Sequence, residues 1–135
     1  MTGLDPETDH ILEVACIITD GSLEVVARGP ELIIHQPKKI LDSMNSWCKE
    51  QHSKTGLIEA SLNSKISVLD AENQLLDFVT KYTPPGKCPL GGNSVYMDKM
   101  FIMKYFPRVS SHCHYRLIDV STIKELCRFI KHCFV

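Results

Sequence analysis

The sequence has no long apolar run, no excess of charge of either sign and no closely spaced pair of cysteines. A membrane-spanning helix needs roughly 20 apolar residues in succession. No stretch approaches this length, so no membrane partner is expected. The 15 basic and 16 acidic side chains nearly cancel, which excludes a strong general attraction to nucleic acid or to anionic lipid. Any nucleic-acid binding must therefore depend on a local site.

The six cysteines are scattered along the chain and form no C-x-x-C motif. The opening residues, MTGLD, are polar and do not resemble a secretory signal. Reduced thiols in an intracellular protein are therefore expected. A set of zinc-compatible side chains matches none of the usual structural zinc spacings, so a zinc site is a minor alternative. The set comprises His112, Cys113, His114, Cys127, His132 and Cys133.

What is present is an ordinary globular composition in 135 residues, which suits a single domain. Residues 11–19 (ILEVACIIT) are apolar and rich in β-branched side chains, which predicts a largely buried strand. Asp20-Gly21 signals a hairpin, with the return strand at residues 23–27. A third strand is predicted at residues 32–35. Together they predict a three-stranded antiparallel meander closed by Pro37.

The helical period begins after this meander. Weak patterns predict helices at residues 42–52 and 55–62, and a much clearer pattern predicts one at residues 68–82. Ser67 and Asp70 form a capping box at the start of the third helix. The apolar face of that helix comprises Ala71, Leu75, Phe78, Val79 and Tyr82.

Strands and helices alternate in the second half of the chain. The predicted elements are a buried strand at 88–90 with a turn at Gly91-Gly92, a helix at 94–106, a strand at 115–120 and a helix through residue 128. Ser121 or Thr122 caps the last helix, and residues 112–114 are assigned to a loop. A meander followed by such alternation predicts an α/β or α+β domain with a mixed sheet.

One constellation carries recognisable chemistry. Ser94 and Asp98 are four residues apart at the start of a predicted helix, so they lie on the same face. The helix N-terminus and the hydroxyl suit a phosphate, and the carboxylate suits a metal ion. Alternatively, Ser94 only caps the helix and Asp98 is solvated. The spacing alone leaves both interpretations open.

Four longer runs of sequence are more informative than this spacing. MTGLD, LDSMNSWCKEQH, TPPGKCPLGGNSVYMDKMF and YRLIDVSTIKELC resemble, in order and separation, the oligoribonuclease family of DEDDh-type 3′-to-5′ exonucleases. The resemblance extends from Met1 to about Arg128. It implies a partial exonuclease domain at residues 1–128 and a divergent tail at residues 129–135. The implied fold is ribonuclease-H-like α/β with a mixed sheet, here lacking the first strand and the C-terminal helices.

The resemblance also implies an activity, which is hydrolysis of short oligoribonucleotides to mononucleotides by two Mg²⁺ or Mn²⁺ ions. Asp98 matches the catalytic, metal-binding aspartate on the family's helix. The family's Asp-x-Glu pair would precede Met1, and its His-x4-Asp motif would lie well beyond Cys127. A single carboxylate binds Mg²⁺ weakly, so the chain as given is predicted not to hold the two ions and to be inactive.

The substrate-binding residues implied by the resemblance are more complete. They are Leu4 beside the 3′-terminal base, Trp47 against the neighbouring base, His52 near the nucleotide, Ser94, Arg116 and Ser121 at the 5′ phosphate of a dinucleotide, and Tyr115 stacking from a second subunit. The implied assembly is a homodimer, located in the cytoplasm, the mitochondria or both. Asp119 is assigned to a structural turn and left out of the site.

Each assignment has a simpler alternative. Trp47, the single tryptophan, also suits a core position, and Tyr115 and Arg116 suit the exposed start of a strand. The function has alternatives as well. One is a catalytically dead nucleotide-binding or dimerising module, and another is an incomplete gene product without a stable function.

Overall fold

The computed structural model describes the backbone of residues 1–133 and the side chains of residues 1–130. Seven helices and six short strands lie within this described backbone. In chain order they are β1 (Glu13–Val14), β2 (Ile17–Thr19), β3 (Val25–Arg28), β4 (Leu32–Ile33), α1 (Lys38–Ser43), α2 (Ser46–Lys54), α3 (Leu57–Asn63), α4 (Val68–Tyr82), β5 (Leu90–Gly92), α5 (Val95–Tyr105), α6 (Pro107–His112), β6 (Leu117–Asp119) and α7 (Val120–Cys133).

The α/β class is confirmed, but the strands do not form the single mixed sheet that was expected. Within residues 1–133 they pair as three two-stranded sheets, two antiparallel and one parallel. The last two residues of the predicted divergent tail, 134–135, lie outside the described backbone.

The predicted three-stranded meander is wrong, because residues 13–33 form one long, interrupted hairpin. β2 pairs with β3, and β1 pairs with β4, both antiparallel. The predicted third strand is therefore the continuation of the returning strand. Gly29 and Pro30 interrupt that strand, since proline has no N–H for the ladder. The N–H of Gly29 still donates to the carbonyl of Cys16 at 2.8 Å.

The first predicted helix, residues 42–52, corresponds mainly to α2, and α1 ahead of it was not predicted except at residues 42–43. α1 ends at Ser43 and α2 begins at Ser46. Asn45 starts the second helix because its side-chain oxygen accepts the N–H of Cys48 at 2.8 Å. α3 then follows Gly56, whose φ of 73° lies in the left-handed region that glycine adopts without strain.

The clearest sequence prediction, the helix at residues 68–82, is confirmed. Ser67 and Asp70 form the predicted capping box at its start. Along the predicted apolar face, Ala71, Leu75 and Val79 are buried, while the last member, Tyr82, is 42% exposed. The helix therefore packs through its first three turns and reaches the surface at its end.

The later elements differ from prediction at their boundaries. β5 includes both glycines that were expected to form a turn, because Gly91 and Gly92 pair with Ile118 and Asp119 in a parallel ladder. The strand is also only partly buried. α6 was not predicted, although Pro107 occupies a favourable first helical position. α7 begins directly after β6, so neither Ser121 nor Thr122 precedes it as a cap, and it continues to Cys133.

The buried apolar side chains form two clusters. The larger joins the hairpin, α4, α5 and α6, and its members are Ile11, Leu32, Ile34, Ala71, Leu75, Val79, Phe101, Phe106 and Val109. The smaller joins the first strand region to α1 and α2, through Leu12, Leu41, Met44 and Cys48. Each buried side-chain polar atom of the described residues has a hydrogen-bond partner.

Two expectations from the sequence concern the state of the cysteines and the presence of membrane-spanning helices. The five cysteines whose side chains are described are free thiols. No helix in the described part of the chain is both long and apolar enough to cross a membrane.

Candidate functional site

Two parallel strands end side by side at the candidate site. β5 and β6 pair in parallel, with Gly92 opposite Asp119. Ser94 follows the first strand and Ser121 follows the second, and their hydroxyl oxygens lie 3.2 Å apart. Ligands of open α/β sheets bind beyond the carboxyl ends of the strands. This edge of the fold is therefore the candidate site.

Ser94 does not cap the helix it precedes, which removes the simpler interpretation of this residue. It has a left-handed backbone, with φ of 51°, and its side chain makes no capping hydrogen bond to α5. Its N–H instead donates to Oδ1 of Asp119 at 2.9 Å and to Oγ of Ser121 at 3.0 Å. The hydroxyl of Ser94 is thus directed towards the start of α7.

Asp98 lies on the first turn of α5, one turn beyond Ser94, and is exposed on part of its surface. Partial burial raises the pKa of its carboxyl above the ordinary aspartate value, and the negative charge of nearby Asp119 adds to the rise. The positive amino group of Met1 acts in the opposite direction. Asp98 therefore lies within electrostatic range of both the end of β6 and the first residue of the chain.

The loop that carries Leu4 is held by Asp9. The carboxylate of Asp9 accepts the hydroxyl of Thr2 at 2.8 Å and the N–H of Asp5 at 3.0 Å. Thr2 and Gly3 are buried, whereas the side chain of Leu4 is 67% exposed. The loop thus presents one apolar side chain to solvent from a fixed backbone.

Trp47 and His52 lie on α2, which packs against the same N-terminal segment. Trp47 is 67% exposed, so the alternative of a core tryptophan is wrong. Nε2 of His52 lies 2.9 Å from the carbonyl oxygen of Met1, and a proton on that nitrogen would be donated to it. This contact ties the second half of α2 to the segment carrying Leu4.

Tyr115 and Arg116 form a separate exposed group just before β6. Tyr115 is 75% exposed and stacks on the ring of His114, with 4.5 Å between the ring centroids. The guanidinium of Arg116 lies 5.5 Å from the centre of the Tyr115 ring. Among the described residues, Arg116 makes no side-chain hydrogen bond to the serine pair, so the structure does not join these predicted residues directly.

The described residues alone do not fit a two-metal centre. Asp98 is the residue predicted from the sequence to bind metal, and Oδ1 of nearby Asp119 already accepts two backbone N–H groups. No three His, Cys, Asp or Glu side chains in the described range are placed to hold a metal ion. The zinc alternative involves another group of residues. Among these, His112 forms a hydrogen bond with Thr83. His132 and Cys133 lie outside the residues whose side chains are described.

Sequence reasoning missed two residues that organise the site. Asp119 was assigned only to a turn, yet it contacts both Ser94 and Ser121. Asp9 was not considered, yet it fixes the loop of Leu4. A charged residue inside the apolar run YRLIDV is the signal that draws attention to Asp119. No comparable signal marks Asp9 in the sequence.

Comparison with known proteins identifies the class to which the chain belongs. A family model described as Exonuclease matches residues 1–133, so the class of protein is an exonuclease domain. The human mitochondrial oligoribonuclease is 58% identical over 128 residues, which are 95% of this chain and 54% of that protein. A probable oligoribonuclease of Dictyostelium discoideum is 53% identical, with 67% of its length covered. The oligoribonuclease of Haemophilus influenzae is 49% identical, with 69% covered.

This chain belongs to the oligoribonuclease family of exonucleases. The resemblance seen in the sequence motifs is thereby confirmed. The chain spans about half the length of its mammalian relatives, 54% in the human case.

Proposed function

We propose that this chain is the substrate-binding part of a 3′-to-5′ exoribonuclease that degrades short oligoribonucleotides, dinucleotides above all, to mononucleotides. The observation that best supports this is the Ser94–Ser121 hydroxyl pair at the starts of α5 and α7, with Asp98 one turn away. Hydroxyl donors beside two helix N-termini suit a phosphate group. A terminal phosphate held there limits the length of the RNA that fits.

The exposed side chains are proposed to hold the bases. Leu4 and Trp47 lie against successive bases, and stacking on an aromatic contributes about 1–3 kcal/mol per base without sequence preference. The remaining proposed contacts are His52 near the nucleotide, Arg116 at the phosphate with the two serines, and Tyr115 stacking from a second subunit of a homodimer. The high exposure of Tyr115, 75%, agrees with such a role.

Asp98 is the proposed catalytic residue and metal ligand of this chain. The raised pKa of its carboxyl supports this role. A bound cation would stabilise a carboxylate that is partly desolvated and close to another negative charge. The proposed metals are Mg²⁺ or Mn²⁺, with the other ligands outside these 135 residues. The chain as given is therefore proposed to bind RNA but not to hydrolyse it. A catalytically dead binding module remains the alternative for the protein as a whole.

The proposed location is intracellular, in the cytoplasm, the mitochondria or both. It rests on the names of the mammalian relatives, which are mitochondrial oligoribonucleases. Fluorescent tagging of the natural gene product would test it.

A chimera tests the activity. The chain is extended at both ends with the corresponding segments of the human relative and incubated with a labelled dinucleotide and Mn²⁺. We expect conversion to mononucleotide, loss of conversion in Asp98→Ala, and full activity in the control Asp77→Ala, an exposed aspartate of α4. A folded chimera that leaves the dinucleotide intact would contradict the proposed function and favour the dead module. Turnover by the unextended chain would contradict its proposed inactivity.

A further inference from the structure

Asp119 joins the backbone at Ser94, which follows β5, to the backbone at Ser121, near the start of α7. Its Oδ1 atom accepts the N–H of Ser94 at 2.9 Å and the N–H of Ser121 at 2.9 Å. Ser94 and Ser121 are 27 positions apart in the sequence. One carboxylate oxygen therefore sets the position of the backbone at both serines.

The backbone of Ser94 needs such a contact. Residues other than glycine rarely adopt positive φ, because the Cβ atom crowds the backbone. Ser94 nevertheless has φ of 51° and ψ of 33°. This conformation turns its N–H towards the end of β6 and the start of α7, where Asp119 and Ser121 accept it. The hydrogen bonds at this N–H offset the unfavourable backbone conformation.

The same arrangement leaves hydroxyl protons available. Oγ of Ser121 accepts the N–H of Ser94 at 3.0 Å. The two hydroxyls also lie within hydrogen-bond distance of each other, at 3.2 Å, and because a hydroxyl rotates, both protons can turn to a bound acceptor. Two adjacent hydroxyl donors match the oxygens of a phosphate, which only accept hydrogen bonds at neutral pH.

We infer that Asp119 is a positioning residue that holds the Ser94 and Ser121 hydroxyls in the arrangement that binds a terminal 5′ phosphate. This inference rests on the proposed function, since it assigns the serine pair to the phosphate of a short RNA. Asp119 acts through the two N–H groups, and its oxygen rather than its charge is what the geometry requires.

The test compares two ligands on the 135-residue chain, a dinucleotide with a 5′ phosphate and the same dinucleotide with a 5′ hydroxyl. Dissociation constants are measured by calorimetry for the original chain and for Asp119→Ala, Asp119→Glu and Asp119→Asn. Asp77→Ala is the matched control, as an exposed aspartate distant in sequence. Melting temperatures are recorded for every variant.

The original chain and Asp77→Ala should prefer the phosphorylated dinucleotide. Asp119→Ala should lose roughly tenfold or more of that preference, the amount expected for the loss of two hydrogen bonds. Asp119→Glu should lose it as well, because the negative charge remains but the oxygen is displaced. Asp119→Asn should retain it, because the amide oxygen still accepts both N–H groups. Affinity for the 5′-hydroxyl dinucleotide should change little throughout.

Preference retained in Asp119→Glu, or in a folded Asp119→Ala, would overturn the inference. Loss of preference in Asp119→Asn would also overturn it, since charge would then be the requirement. If Asp119→Ala does not fold, the Glu and Asn variants decide. Failure of the original chain to bind either dinucleotide would instead count against the proposed function, so the two failures are distinguishable.

Discussion

The carboxylate of Asp9 occupies the space into which a side chain on Gly3 would project. A methyl group at position 3 would lie closer to the Asp9 carboxylate than any real contact allows. The same carboxylate accepts the hydroxyl of Thr2 and the N–H of Asp5. A side chain at position 3 therefore requires the Asp9 carboxylate to move, which would disturb its hydrogen bonds to Thr2 and Asp5 in the loop that presents Leu4.

Gly3→Ala should displace this loop. We expect a loss of roughly 1–3 kcal/mol in unfolding free energy, typical of overpacking, and a weaker affinity for a dinucleotide because Leu4 moves. The measurements are chemical denaturation and ligand titration. Gly21→Ala is the matched control, because a methyl group there meets nothing within 4 Å. Equal behaviour of the two variants would contradict this account of the loop.

Trp47→Ala should weaken the binding of a dinucleotide without lowering the stability of the fold. The side chain is 67% exposed, so the melting temperature should change little. Dinucleotide affinity should fall by the equivalent of about 1–3 kcal/mol, the usual contribution of base stacking. Phe129→Ala, which removes an aromatic ring that is 69% exposed on α7, serves as the control and should not affect affinity. Unchanged affinity in Trp47→Ala would remove the tryptophan from the site.

Asp98→Asn should stabilise the metal-free chain near neutral pH. The folded state raises the pKa of Asp98, so the protonated form is favoured by folding and ionisation opposes folding. Asparagine removes that opposition. The gain in melting temperature should be present above the raised pKa, should shrink as pH falls through it, and should vanish below the ordinary aspartate value of about 3.9.

Melting curves between acid and neutral pH, in the presence of a chelator, check this expectation. Asp77→Asn, on the exposed face of α4, is the control for the substitution itself. If Asp98→Asn were less stable than the original chain at neutral pH, the ionised carboxylate would stabilise the folded state, which would contradict this expectation.

Arg108→Ala should destabilise the fold without touching the site. Glu72 is 4% exposed and accepts hydrogen bonds from Nε and Nη2 of Arg108 at 3.1 and 2.9 Å. Loss of the guanidinium leaves a buried carboxylate with a single backbone donor, which costs roughly 1–3 kcal/mol or more. Arg128→Ala breaks the exposed pair with Glu125, worth about 0.2–1 kcal/mol. Denaturation should show a clearly larger effect for Arg108→Ala.

Local signals predicted some elements of this fold well. The helix at residues 68–82 combined a capping box with a continuous apolar face, and both features depend on residues within a few positions of one another. The hairpin was harder, because its register depends on an interrupted strand and a shift between Ile18 and Thr19. Nothing in the residue pattern distinguishes that arrangement from two separate return strands.

The candidate site was also predicted only in part, where local signals were sufficient. Ser94 and Asp98 were identified from their spacing and from the family motif. The left-handed backbone of Ser94 was not predictable, because it depends on Asp119, which follows in the chain only after α5 and α6. The exposure of Trp47 was likewise set by packing of the rest of α2, and the weak periodicity of that helix gave no direction.

The most direct test of the account measures binding and turnover on one sample of the 135-residue chain. A labelled 5′-phosphorylated dinucleotide is titrated with the chain in Mn²⁺, and the same mixture is then assayed for mononucleotide. We expect saturable binding with no mononucleotide released. A cooperatively folded chain that fails to bind, or hydrolysis that Asp98→Ala abolishes, would contradict this expectation.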